Sequence, residues 1–215
     1  MSNLADRLER CYSGAVYDVL RKMNYPQQTL PTNLRPLDPS EKLAGRVYTV
    51  SGHYDDSLDP HETLLQWTSL LSKVPSDRVV ICQPHDSTLA HIGELSAETM
   101  KLRGVRGYIV DGGCRDSEFI LNLGFKVFCR YFTPVDVVGR WIPDCLGESI
   151  KIEDVTIHTG DCVMADRDGV VIIPSEHAEE VTTKVEEVLG TESLVRKAII
   201  GGMDPQKAYL KYGKF

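Results

Sequence analysis

Gly107-Tyr108-Ile109-Val110-Asp111-Gly112-Gly113-Cys114-Arg115-Asp116 is the stretch on which the fold turns. Its first four residues are a short, almost wholly apolar run, as in a strand buried on both faces. The glycine pair lets the backbone bend sharply and lets another group approach closely. Arg115-Asp116 then precedes Ser117–Leu123, a short helical segment that Gly124 ends. Upstream, a helix is expected from about Leu95 to Arg103, after a strand at Arg78–Cys82; downstream, Phe125–Cys129 is a further strand. Strand, helix, strand, helix, strand is the signature of parallel pairing with crossover helices, so the fold class is α/β.

Farther out, residues 3–23 place Leu4, Leu8, Cys11, Ala15, Val19 and neighbours on one apolar helical face. Residues 25–44 hold four prolines and read as an irregular crossing. Gly45–Val50 begins a strand. Asp59-Pro60 opens a second helix, with aspartate as cap and proline in the first turn, whose core side would carry Leu64, Leu65, Trp67, Thr68 and Leu71. Residues 150–173 give short strands around tight turns at Gly160-Asp161 and Asp166–Gly169; helices follow at about 176–189, 192–200 and 205–211. With no flexible linker, one domain over 1–215 is expected.

Composition is that of an ordinary soluble protein, and a net charge of −7 argues against a nucleic-acid surface. No segment approaches the roughly 20 apolar residues of a membrane span, and Met1–Arg7 lacks the apolar core of a signal peptide. The cytoplasm is the expected compartment. The six cysteines, with no CxxC pair, are expected to be reduced thiols.

Candidate chemistry lies at turns, where function concentrates. Gly93-Glu94-Leu95 stands at the start of a helix whose free amides can hold an anion, and twenty residues separate Glu94 from Arg115-Asp116. Both sets follow strand C-terminal ends, where open α/β sheets bind ligands. A carboxylate can hold a hard divalent metal, and an arginine beside it an anionic substrate. Each residue also has a structural explanation: Glu94 as favourable charge at a helix start, Asp116 as helix cap, Arg115 as surface ion pair. His85 and His91, or His53 and His61, lack zinc spacing, and His91 reads as a hydrogen-bonded loop residue. Ser87 and Cys114 lack nucleophile contexts, and there is no glycine-rich nucleotide loop.

At these residues the chain resembles the regulator of ribonuclease E activity A (RraA) superfamily, which includes the class II 4-hydroxy-4-methyl-2-oxoglutarate/4-carboxy-4-hydroxy-2-oxoadipate aldolases. Further matches are Thr133-Pro134, Gly139-Arg140-Trp141, Gly160-Asp161 and Ala165–Pro174, so the resemblance covers roughly residues 10–215. It implies an α/β/β sandwich of swivelling-domain type with flanking terminal helices. It implies a homotrimer or hexamer with sites at subunit interfaces, a Mg²⁺ or Mn²⁺ cofactor and a small 2-oxo acid substrate. Asp116 would bind the metal directly and Glu94 through water. Arg115 would hold the substrate, and the amides of Glu94, Leu95 and Ser96, following Gly93, would bind a pyruvyl carboxylate. The implied activity is retro-aldol cleavage of a 4-hydroxy-2-oxo acid, oxaloacetate decarboxylation, or both. A non-catalytic regulator that inhibits an RNA-degrading enzyme is the alternative. Family aldolases carry a helper glutamate near the C-terminus; here Ile200–Pro205 has none, leaving Asp204 as a substitute or as a helix cap.

Overall fold

The computed structural model describes residues 3–214. Met1 and Ser2, on which the reading of the N-terminus partly rests, and Phe215 lie outside them. Helices α1 (Leu4–Glu9) and α2 (Ser13–Lys22) lead into β1 (Arg35–Pro36) and the long β2 (Leu43–Tyr54). Next come α3 (Pro60–Lys73), β3 (Arg78–Gln83), α4 (Glu94–Leu102), β4 (Gly107–Val110), β5 (Gly113–Cys114), α5 (Ser117–Leu123), β6 (Val127–Cys129) and β7 (Tyr131–Phe132). The last part holds β8 (Trp141–Leu146), β9 (Ile150–Ile152), β10 (Val155–Ile157), β11 (Cys162–Asp166), β12 (Gly169–Ile173), α6 (Ala178–Ile200) and α7 (Pro205–Tyr212).

Strands β2, β3, β4 and β6 pair in parallel, as the strand–helix alternation requires. The main sheet runs β1-β6-β4-β3-β2-β11-β12. On the edge of β2 away from β3, β11 pairs with Leu43–Arg46 and β8 with Val50–Tyr54, both antiparallel. Side chains alternate across this sheet. Val80, Cys82, Tyr108, Val110 and Val127 pack under α3, α4 and α5. Val47, Val79, Ile81, Ile109 and Phe128 face the β9–β10 hairpin. The result is the expected layering of helices, sheet and second β layer. Strands β11 and β12 serve two cores: Val163 and Ile172 point into the hairpin side, Met164 and Val171 toward α1, α2 and α6.

Three expectations are corrected. Residues 3–23 form two helices because the chain breaks where Ser13 donates from N and Oγ to the Asp166 carboxylate, at 2.8 and 2.7 Å. The segments expected as separate helices at 176–189 and 192–200 are one 23-residue helix. Gly190 costs a helix only about 1 kcal/mol, and Tyr12 and Lys214 anchor Glu192 just beyond it. Strand β8 and the short β5–β7 pair were not foreseen. On α3 the buried residues are Thr63, Trp67, Leu70 and Leu71; Leu64, Leu65 and Thr68 are exposed rather than core. The Asp59 cap forms as expected, accepting from the amides of His61 and Glu62. All six cysteines are free. No helix among the described residues is long and apolar enough to cross a membrane.

Candidate active site

Helix α4 starts at Glu94 because Gly93 leaves β-conformation there and carries no side chain. An α-helix cannot pair its first amides internally. One is used at once: the Glu94 N–H donates to Asp116 Oδ2 at 3.1 Å. The Leu95 and Ser96 amides follow in the same turn. A Cβ at residue 93 would stand 2.7 Å from Asp116 Oδ2 and 3.1 Å from Arg115 Nε, so any other residue would push these side chains out of place.

Asp116 occupies the cap position of α5, yet its side chain makes no capping bond. Its backbone is left-handed, φ 54° and ψ 33°. Aspartate tolerates that region better than most residues, at a cost of order 1 kcal/mol or more. The conformation turns the carboxylate away from its own helix and toward Gly93. Arg115 Nε lies 3.3 Å from the same Oδ2, and Arg115 Nη1 donates to Asp136 Oδ2 at 3.2 Å. The guanidinium is thus held between two carboxylates with its remaining edge uncommitted among the described residues. The structure brings Gly93, Glu94, Leu95, Ser96, Arg115 and Asp116 to one groove of about 520 Å³. Asp136 was not foreseen; it sits between two quoted motifs, and nothing in its neighbours marks it. Asp204 is not among the groove's residues: it caps α7, accepting from the Lys207 amide at 3.0 Å.

The groove floor rests on aromatic packing. Trp67 Nε1 donates to Ser96 Oγ at 2.9 Å, and Trp141 meets both Trp67 and His91 edge-on at 5.9 and 5.1 Å. His91 is fully buried, and neither ring nitrogen has a hydrogen-bond partner among the described residues, contrary to the hydrogen-bonded loop residue expected. Its Nε2 lies 3.5 Å from Asp86, whose carboxylate is already held by Thr88 and Leu89. Burial pushes the imidazole down from 6.5 to about 4, against the pull of Asp86. A base with a depressed folded value contributes its full stability above the unfolded value. That contribution fades as pH falls from 6.5 toward 4. About 3 kcal/mol should be lost across this window, and urea denaturation of His91→Phe should show a flatter profile there than the parent.

The RraA-like family model, described as Aldolase/RraA, matches residues 13–172, and the chain belongs to that family. Protein DlpA of Legionella pneumophila is 26% identical over 99% of this chain, which spans only 34% of DlpA's length. A Halalkalibacterium halodurans protein named "Putative 4-hydroxy-4-methyl-2-oxoglutarate aldolase" is 28% identical, covering 85% of this chain and 83% of that one. A crystal structure described as a novel cellulase from gut-associated microbes superposes with TM-score 0.82 at 32% identity, covering 88% and 85% of the two chains. RraAS2 of Streptomyces coelicolor, described as an unusual member of the RNase ES inhibitor RraA family, superposes with TM-score 0.79 at 23% identity, covering 90% and 96%.

Proposed function

We propose that the chain is a divalent-metal-dependent carbon–carbon lyase acting on a 2-oxo acid through a pyruvate enolate, by retro-aldol cleavage of a 4-hydroxy-2-oxo acid, by oxaloacetate decarboxylation, or by both. The observation that carries this reading is Asp116: a strained residue whose carboxylate is withheld from capping and set beside an arginine and a helix N-terminus. A protein that only binds and inhibits an RNA-degrading enzyme would not need Glu94, Arg115 and Asp116 together. The aldolase name of the H. halodurans relative supports the same reading.

The donor set suits Mg²⁺ or Mn²⁺. No group of three or more His, Cys, Asp or Glu side chains clusters among the described residues, which disfavours a closed zinc cage. Mg²⁺ instead keeps most of its waters and takes one or two carboxylates plus substrate oxygens. Asp116 would hold it directly and Glu94 through water. A bound divalent cation supplies Lewis-acid stabilisation of the developing enolate oxygen. The chain does the rest. Arg115, steered by Asp136, holds the substrate carboxylate or oxo oxygen. The Leu95 and Ser96 amides, pointing from a helix N-terminus, complete the anion site. Leu64, Trp67, Thr68 and Leu71 of α3 line the groove beside these groups.

Purified protein should release pyruvate from a 4-hydroxy-2-oxo acid or from oxaloacetate with Mg²⁺ or Mn²⁺, and stop on chelation. Release of sugar from cellulose instead would replace this reading. Gly93→Ala should cost about 10²-fold in kcat/KM by displacing Asp116 by an ångström or less, with an unchanged circular dichroism spectrum.

We propose that the chain assembles with further copies of itself, as the family to which it belongs suggests. Light scattering should give the mass of a trimer or hexamer; a monomer at micromolar concentration would overturn this.

A further inference from the structure

Among the described residues, side-chain hydroxyls reach the groove from Thr68, Ser96 and Thr99. Two of them turn back onto their own helices. Thr68 Oγ1 donates to the Leu64 carbonyl and Thr99 Oγ1 to the Leu95 carbonyl, both at 2.7 Å. That bond to the fourth preceding carbonyl is a common fate of a hydroxyl inside a helix. Ser96 escapes it because it is the third residue of α4. Its fourth preceding carbonyl, on Ile92, lies before the helix and accepts from the Arg115 amide at 3.0 Å. The Gly93 carbonyl accepts from the Ala97 amide at 3.0 Å.

Ser96 Oγ is instead an acceptor. Trp67 Nε1 donates to it at 2.9 Å, and an indole N–H can only donate. The bond occupies a lone pair of the oxygen and leaves the hydroxyl proton without an acceptor among the described residues. The indole is itself fixed. Trp67 is 7% exposed, the Trp141 ring meets it edge-on at 5.9 Å, and Trp141 Nε1 is tied to the Pro84 carbonyl at 2.8 Å. Helical Cα–Cβ bonds lean toward the helix N-terminus. Ser96 Oγ therefore stands beside the first turn of α4, where the Leu95 and Ser96 amides have no carbonyl below them.

We propose that the Ser96 hydroxyl donates to the substrate's carboxylate together with the Leu95 and Ser96 amides, and that Trp67 is the positioning residue that turns its proton into the groove. This deepens the 2-oxo acid reading above and rests on it. A carboxylate only accepts, so a hydroxyl held as a donor matches it. A charged acceptor makes such a bond roughly twice as strong as a neutral one. Because Trp67 orders the hydroxyl in the empty site, little of its rotational freedom is left to lose when the substrate arrives.

The test measures pyruvate affinity by isothermal titration calorimetry on the whole chain with Mg²⁺, for the parent, Ser96→Ala, Trp67→Phe and the double variant. Ser96→Ala should weaken binding by about tenfold or more. In turnover the loss should fall on KM with kcat nearly unchanged, since the carboxylate is held alike before and during the reaction. Trp67→Phe should weaken binding in the parent but add nothing in the Ser96→Ala background, because its effect passes through the hydroxyl. Light scattering should give every variant the parent's mass. Unchanged pyruvate affinity in Ser96→Ala overturns the assignment, and a reduced mass alongside it gives the hydroxyl to a contact between copies instead. Additive losses from the two substitutions overturn the role of Trp67. Deuterium exchange at C3 of pyruvate, with and without metal, tests the enolate chemistry separately. Exchange in the parent with no effect of Ser96→Ala sinks this assignment alone. Pyruvate binding that depends on Ser96 without metal-dependent exchange sinks the lyase reading and leaves Ser96 as a carboxylate donor. A parent that binds no pyruvate sinks both.

Discussion

Replacing Asp116 by asparagine is expected to lower pyruvate release by about 10²–10³-fold or more, with little change in melting temperature. The substitution keeps the shape of the side chain, and asparagine tolerates the left-handed backbone that residue 116 adopts. A neutral oxygen can still accept from the Glu94 amide, where Asp116 Oδ2 now lies at 3.1 Å. The charge is what disappears, and with it the proposed direct metal ligand and the partner of Arg115 Nε. Asp116→Ala should be equally inactive, but it removes the shape too and is the less discriminating variant. The decisive measurement is turnover against metal concentration for parent and asparagine variant. Unaltered turnover with an unaltered metal response would mean that Asp116 is not the metal ligand. Arg115→Lys should keep some binding through charge while losing the forked geometry, showing mainly as a raised KM.

The largest expected stability effect belongs to Trp141. It is fully buried, donates Nε1 to the Pro84 carbonyl at 2.8 Å, and meets the rings of Trp67 and His91 edge-on. It also starts β8, which pairs with the far half of β2. Truncation to alanine should cost about 3–5 kcal/mol, as for other buried large-to-small aromatic changes. Urea unfolding should show a lower midpoint with an unchanged slope. Because the ring supports Trp67, and Trp67 holds Ser96 in the turn proposed to bind the substrate anion, Trp141→Ala should weaken turnover as well. Trp141→Phe restores most of the volume but not the Pro84 bond, and should lie between. A loss under 1 kcal/mol for the alanine variant would show that the groove floor does not depend on this ring.

The parallel half of the fold was legible because its strands are continuous apolar runs set between helices with recognisable caps: Asp59 before α3, Gly124 after α5. What stayed hidden depends on partners distant in sequence. The break between α1 and α2 is made by Asp166, more than 150 positions away. The exposure of Leu64 and Thr68 follows from which face of α3 the groove occupies, and helical periodicity alone cannot separate a core face from a groove wall. The placement of Glu94, Arg115 and Asp116 in one pocket follows from strand order and was anticipated. The left-handed turn at Asp116 and the clamp from Asp136 were not, because neither leaves a local sequence signal. His91 shows the same limit: its lack of partners comes from Trp141 and Gly112 closing over it.

The docking of the first helices against the last long one sets an order on biosynthesis. Leu8, Cys11, Val16 and Leu20 leave the ribosome long before the residues that cover them, which include Val181 and Val185 of α6. Arg7 forks onto Glu179 and Glu186 in the same helix. At ~5–20 residues per second, the amino-terminal amphipathic segment waits roughly ten to thirty seconds for its counterpart. During that interval the nascent chain presents an uncovered greasy stripe, the kind of surface chaperones recognise. Folding of the amino-terminal core therefore waits on α6, even though the parallel strands around the groove can pair earlier in synthesis.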